Sequence, residues 1–173
     1  MSSKIYGRQG RGQKSPFLLK KMLRDQIIKL VEEKISGSDC FLVDVKVSPS
    51  KAMVYIDKAA GIKIEDCVEV NRFLMQVPEL VDEWEHHELE VSSPGMDEPL
   101  KVLPQYQKRI GREVSVVTFD GLKHVGILEA ASEAGIELNE TLIKKTNGKK
   151  VKSIQAVHLP FDQIKETKIV FVF

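Results

Sequence analysis

The sequence is poor in the residues that most often build a reactive centre, and each scarcity excludes something. Only two of its 173 residues are cysteines, Cys40 and Cys67. They form no CxxC pair and have no histidine at ligand spacing, so each reads as a small side chain within an apolar pattern. Spacing alone leaves a bridge between them open, and a reducing compartment disfavours it. No run approaches the ~20 apolar residues that a membrane-crossing helix needs. The opening MSSKIYGRQGRGQKSP has no apolar stretch and does not read as a secretory signal. These absences predict a cytoplasmic protein with no membrane association.

Catalytic signatures are missing as well. There is no phosphate-binding loop, GxGxxG, GxSxG or HExxH. His86 and His87 are adjacent on the approach to a strand, so they should point to opposite faces and share no metal. His124 and His158 fall in expected strands without evident partners. Asp97 and Glu98 are a lone acidic pair on a loop, too little for acid–base chemistry. The expectation is a non-enzyme with no cofactor and no metal site.

What is present is charge, unevenly placed. Residues 1–22 carry six bases and no acid, residues 23–103 nine bases and seventeen acids, and residues 104–173 eleven bases and eight acids. A basic end, an acidic middle and a basic second half suit a partner carrying both signs, such as an assembly of RNA and basic proteins. Solvated surfaces alone would also give this pattern.

Residues 1–16 are rich in Gly, Ser, Arg and Lys and read as a disordered basic tail or leader. A helix follows Ser15–Pro16, with Leu19, Leu23, Ile27, Leu30, Val31 and Ile35 on one stripe, and ends at Gly37. CFLVDVKV alternates, which predicts Phe41, Val43, Val45 and Val47 on one face. The turn SPSK and the return strand AMVYIDK complete a hairpin. A second helix from about Ile64 to Val77 buries Cys67, Val70, Leu74 and Val77. Pro78 stops or kinks it, and ELVDEWEHH fits either a loop or a last helical turn. HELEVS makes a third strand. Residues 17–93 thus read as an α-β-β-α-β domain with both helices on one sheet face.

From residue 105 to 173 the pattern is about five short strands. Asp120–Gly121 and Asn147–Gly148 stand between alternating segments and predict hairpins with positive φ at both central residues. This suggests a small SH3-like or OB-like barrel. The tip KKTNGKKVK gathers Lys144, Lys145, Lys149, Lys150 and Lys152, a local field suited to rRNA phosphate. Lysines also blunt sheet edges and keep loops soluble. The tip has no aromatic residue for stacking bases, and the first domain is acidic and lacks a GxxG clamp, which argues against sequence reading by either.

Residues 94–104 join the two domains. In LEVSSPGMDEPLK, residues 89–101, Ser92 and Ser93 can bond local backbone, Pro94 fixes φ, Gly95 permits positive φ, and Pro99 blocks a helix. Such a joint, with Asp97 and Glu98 at its centre, should be short and stiff.

This segment closely resembles the signature of the RimP family of ribosome maturation factors, usually ending Leu-Asp-Arg-Pro-Leu. VYIDKAAGIKIEDCVEVNRFL is similar to a second family block, and FLVDVKV to its first strand. The likeness spans residues 20–173, by pattern only in the second domain. Met96 replaces leucine, and Glu98 stands where arginine is usual, reversing a charge. The resemblance implies an α+β protein with a KH-like N-terminal domain and an SH3-like C-terminal barrel. It also implies a monomeric, non-enzymatic factor of ribosome biogenesis that binds the immature small subunit, rRNA and a small-subunit ribosomal protein together, and promotes assembly. In that family the barrel engages the ribosomal protein near the decoding region. A general RNA-binding Sm-like module is the competing reading.

Overall fold

The computed structural model describes residues 15–171. The basic tail expected over 1–16 therefore lies outside the described residues, apart from Ser15 and Pro16. These two open the first helix, α1 (Pro16–Ile35), where the Ser15 Oγ accepts the Leu18 N–H at 3.2 Å. That bond satisfies one of the amide donors left free at any helix start, and proline at the first position loses no bond. Leu23, Ile27 and Val31 are buried, with Leu30 and Ile35 packed beside them. Leu19, expected on the same stripe, is exposed and lines an open groove with Pro49 and His87.

α1 covers a three-stranded sheet of order β1-β2-β3. β1 (Cys40–Val47) and β2 (Lys51–Lys58) form the expected antiparallel hairpin, and β3 (Glu88–Ser92) lies parallel to β2. A parallel neighbour requires a crossover, which α2 (Ile64–Gln76) supplies. Val70 and Leu74 of α2 join Val45, Ala52, Val54 and Ile56 of the sheet and the α1 stripe in one core. Each such Val, Leu or Ile side chain contributes about 1.5–3 kcal/mol on burial. The ambiguous stretch after Pro78 is a 3-10 helix, Pro78–Glu85. It buries Leu80, and its Trp84 Nε1 donates to the Leu74 carbonyl at 3.0 Å, capping the last turn of α2.

One expectation fails inside β1. The ladder to β2 skips from Leu42 to Asp44, leaving Val43 as a bulged residue. An extra residue reverses which side faces inward. Leu42 and Val45 therefore pack on the core, while Val43 turns to the opposite face of the sheet.

The second half is a five-stranded antiparallel sheet preceded by the short helix α3 (Leu103–Lys108). Its strands are β4 (Glu113–Thr118), β5 (Lys123–Ser132), β6 (Gly135–Thr146), β7 (Lys149–Leu159) and β8 (Ile164–Ile169), in the order β7-β6-β5-β4-β8. A separate core holds Leu100, Tyr106, Val114, Val116, Leu128, Ile136, Leu138 and Leu159. The number of strands matches the expectation. Closure into a barrel is not found: among the described residues β7 and β8 end the sheet and do not pair with each other.

The two hairpin signals have different outcomes. Asn147 (φ 50°) and Gly148 (φ 75°) both adopt the left-handed region, as a two-residue mirror-image turn requires. At the other turn only Gly121 does so (φ 86°). There the loop is longer: Thr118 N–H donates to the Leu122 carbonyl at 3.0 Å, and the Asp120 carboxylate accepts from Leu122 N–H and the Thr118 hydroxyl. Asp120 thus serves as a side-chain clamp.

Candidate functional site

Two features stand out: a set of clefts around the joint, and a basic ribbon. The joint begins as β3 ends. Ser92 pairs with Tyr55 in the ladder, and its hydroxyl donates to the Ser93 carbonyl at 3.2 Å. Glu98 N–H returns to the Gly95 carbonyl at 3.1 Å, closing a turn over Met96 and Asp97. Gly95 does not use the left-handed region that its lack of a side chain permits. A Cβ there would meet the Asp97 and Glu98 side chains instead, so the glycine leaves room for the acidic pair. Leu100 N–H then joins the β8 edge at Thr167 (2.8 Å), and the Gln105 Oε1 accepts from both Lys101 and Val102 amides at 2.6 and 3.1 Å. The joint is held to the second half by its backbone.

Ion pairs hold it to the first. Lys101 Nζ lies 2.6 Å from Asp44 Oδ2, and Lys108 Nζ of α3 lies 2.9 Å from Asp57 Oδ1. Both carboxylates sit on the sheet face opposite α1 and α2, Asp44 through the β1 bulge and Asp57 by alternation with Ile56. Burial alone would push the Asp44 carboxyl up. The Lys101 ammonium, the Val45 N–H and Arg24 outweigh burial and hold it below the ordinary carboxylate value.

Between the joint and this sheet face lies a cleft of about 190 Å³ lined by Asp44, Lys46, Tyr55, Pro94, Glu98 and Lys101, among others. Pro99 and Lys101 also border an open groove with Tyr106 and Phe161 of the second half. Glu98 lines the same cleft as Lys46 and Lys101 and borders a small cavity with Arg109, yet it makes no ion pair among the described residues. Asp97 is exposed at the turn, and among the described residues the Ser92 hydroxyl donates to the Ser93 carbonyl and to no side-chain base. The clefts look suited to positioning, with no nucleophile–base pair among their lining residues.

The other titratable residues resolve simply. His87 stacks on the end of the 3-10 helix with Nδ1 3.7 Å from Glu83, and His124, expected to be without a partner, lies 3.3 Å from Glu140 of β6. Cys40 and Cys67 are free, half-buried thiols, and burial is the first cause that pushes each above its ordinary value.

The five lysines occupy a different place. β5 pairs with β6 only as far as Glu140, whereas β6 and β7 remain paired from Thr141–Ile154 to Thr146–Lys149. That outer part is a two-stranded ribbon projecting from the sheet by about 20 Å. Lys144, Lys145, Lys149, Lys150 and Lys152 all lie on it, exposed, and residues 141–154 contain no acid. None of the five lines the clefts at the joint.

Residues 30–97 match the family model described as the RimP N-terminal domain. A Porphyromonas gingivalis protein named Ribosome maturation factor RimP is 34% identical over 138 residues, covering 79% of this chain and 89% of that protein. One of the same name from Cytophaga hutchinsonii is 33% identical over 162 residues, covering 87% and 95%. The chain belongs to the RimP family.

The RimP model match ends at Asp97, inside the turn at the joint. The residues that tie the RimP joint down were largely invisible in sequence. In sequence Asp44 and Lys46 form only the polar face of a strand, Tyr55 and Asp57 belong to the second family block with no contact implied, and Lys108 lies in a short helical turn. An acid on a strand's outward face beside a lysine-bearing joint was the available signal. Only the fold reveals that this face is covered.

Proposed function

We propose that this chain is a ribosome maturation factor that binds the immature small subunit and promotes its assembly without catalysing a reaction. The observation that carries the proposal is the extent of the likeness: 95% of a protein named for ribosome maturation aligns with 87% of this chain, both halves included. In this reading residues 17–93 are a KH-like domain, 94–104 the joint, and 105–173 a domain of SH3-like descent whose sheet stays open. The factor works as a cytoplasmic monomer. Its partners are rRNA, met by the lysine ribbon, and a small-subunit ribosomal protein. Ordered clefts at the joint and a basic projection on one side supply two kinds of contact, as an RNA–protein assembly requires. Such a factor shifts folding by binding one conformer of the subunit better than others. The Sm-like alternative gains no support from relatives that share both halves.

The test is co-sedimentation with immature subunits, mature subunits and free rRNA across a salt series. Preferential binding to immature subunits is expected, and the Lys149→Glu/Lys150→Glu variant should bind them at least ~10-fold more weakly while melting normally. Equal affinity for free RNA and for subunits would overturn the maturation reading in favour of plain phosphate binding.

A further inference from the structure

The register of the ribbon divides its lysines between two faces. Strand residues alternate, and no irregularity interrupts the β6–β7 ladder. The side that continues from the buried Ile136 and Leu138 carries Lys144 and, across the ladder from Thr146, Lys149. The opposite side carries Lys145, Lys150 and Lys152. A surface meant to lie flat on one phosphate backbone would place its cations on one face. This ribbon is basic on both.

It is also costly in isolation. Lys145 and Lys150 are directly opposite each other, a like-charge pairing that destabilises a ladder. Two strands without a third neighbour are marginal in water. Ile143 and Ile154 behind the tip are 60% and 75% exposed. No acid on the ribbon offsets the repulsion. Solubility alone would need neither a paired repulsion nor exposed isoleucines. Phosphate on both faces would relieve the repulsion, and close walls would cover the isoleucines.

We infer that the ribbon inserts between two RNA phosphate backbones, with Lys144 and Lys149 facing one and Lys145, Lys150 and Lys152 facing the other. The inference rests on the proposed rRNA contact and deepens it. With no aromatic residue on residues 141–154, the ribbon reads the spacing of the two backbones and leaves base identity unread. It is a wedge or clamp for RNA geometry.

The two faces can be tested separately in the full-length protein. Lys144→Gln/Lys149→Gln and Lys145→Gln/Lys150→Gln/Lys152→Gln are each measured against immature small subunits over a salt series, beside wild type. Insertion predicts that both variants weaken binding and lower the salt slope, by roughly 1.4–1.8 and roughly 2.1–2.7 respectively, since each lost phosphate contact removes roughly 0.7–0.9 from it. Hydroxyl-radical footprinting of the wild-type complex should show two protected backbone tracts lost separately, one with each variant. A slope change and footprint loss confined to one face would overturn insertion and leave single-backbone binding. No change with either variant would overturn the rRNA contact itself. Binding of a protein arm in its place would appear as lost affinity with no footprint change, which also overturns insertion. Unchanged thermal midpoints separate these outcomes from misfolding.

Discussion

At the scale of single residues, the joint depends on two carboxylates that each take a lysine from beyond the first domain, Asp44 in addition to Arg24 of its own half. Asp57 is the sharper case. Its side chain retains 11% exposure and that of Lys108 17%, and Asp57 also accepts its neighbour's amide from Lys58 at 2.8 Å. A paired charge so covered adds little net stability, but removing one partner leaves the other charge buried alone. Lys108→Met should therefore destabilise the protein by about 2–3 kcal/mol, below the full range for buried pairs because some solvent access remains. The double variant Asp57→Asn/Lys108→Met should recover much of that loss. Chemical denaturation of the three proteins checks it, and equal losses in the single and double variants would count against a charge left stranded. Asp57 itself occupies an alternating strand in the sequence, where an outward acid looks like ordinary solvation.

At the scale of elements, the legible parts were those with strong local chemistry. Ser15–Pro16 announced α1, Asn147–Gly148 announced the β6–β7 hairpin, and of the stripe expected on α2 Val70 and Leu74 are buried, Val77 is buried at its C-cap and Cys67 only half-buried. Failures came where a long-range partner decides the outcome. The bulge at Val43 depends on how β1 meets β2, and alternation within eight residues cannot reveal it. Sheet closure depends on whether β7 reaches β8. Among the candidate-site residues, the lysine ribbon was visible as composition, but its two-faced division needed the register. Another long-range constraint sits at Gly126, where a Cβ would overlap the backbone of Asn139 and Glu140 on β6. Backbone cannot yield as a side-chain end can. Gly126→Ala should cost about 1–3 kcal/mol, the usual range for overpacking, with amide exchange along β5 and β6 accelerating together. Exchange unchanged on β6 would show that the strands separate freely there.

At the scale of the molecule, two cores on two sheets are fastened across one sheet face by the Asp44–Lys101 and Asp57–Lys108 pairs, and the fastening carries a pH dependence. Asp44 titrates lower in the folded state than in the unfolded chain, where a carboxyl titrates near about 3.9. A depressed carboxylate contributes stability that is fully present above the unfolded value and is lost as pH falls through the folded value. The fastening should therefore hold at neutral pH and loosen below about pH 4. Trp84, the single tryptophan, reports on the first half, and amide exchange of β5 reports on the second. At pH 7 the two probes should record one coincident thermal transition. Below pH 4 they should separate. Asp44→Asn should bring part of that separation to pH 7 and reduce the stability change between about pH 5 and 2, because one of the depressed carboxylates that titrate there is gone while Asp66 and Asp120 remain. Transitions already separate in the wild-type protein at pH 7 would mean that the joint does not couple the halves. Transitions still coincident in Asp44→Asn would assign the coupling to Asp57–Lys108 alone. Under the proposed maturation role, such coupling would present an acidic half and a basic ribbon in a fixed mutual arrangement, so that two weak contacts act at high effective concentration.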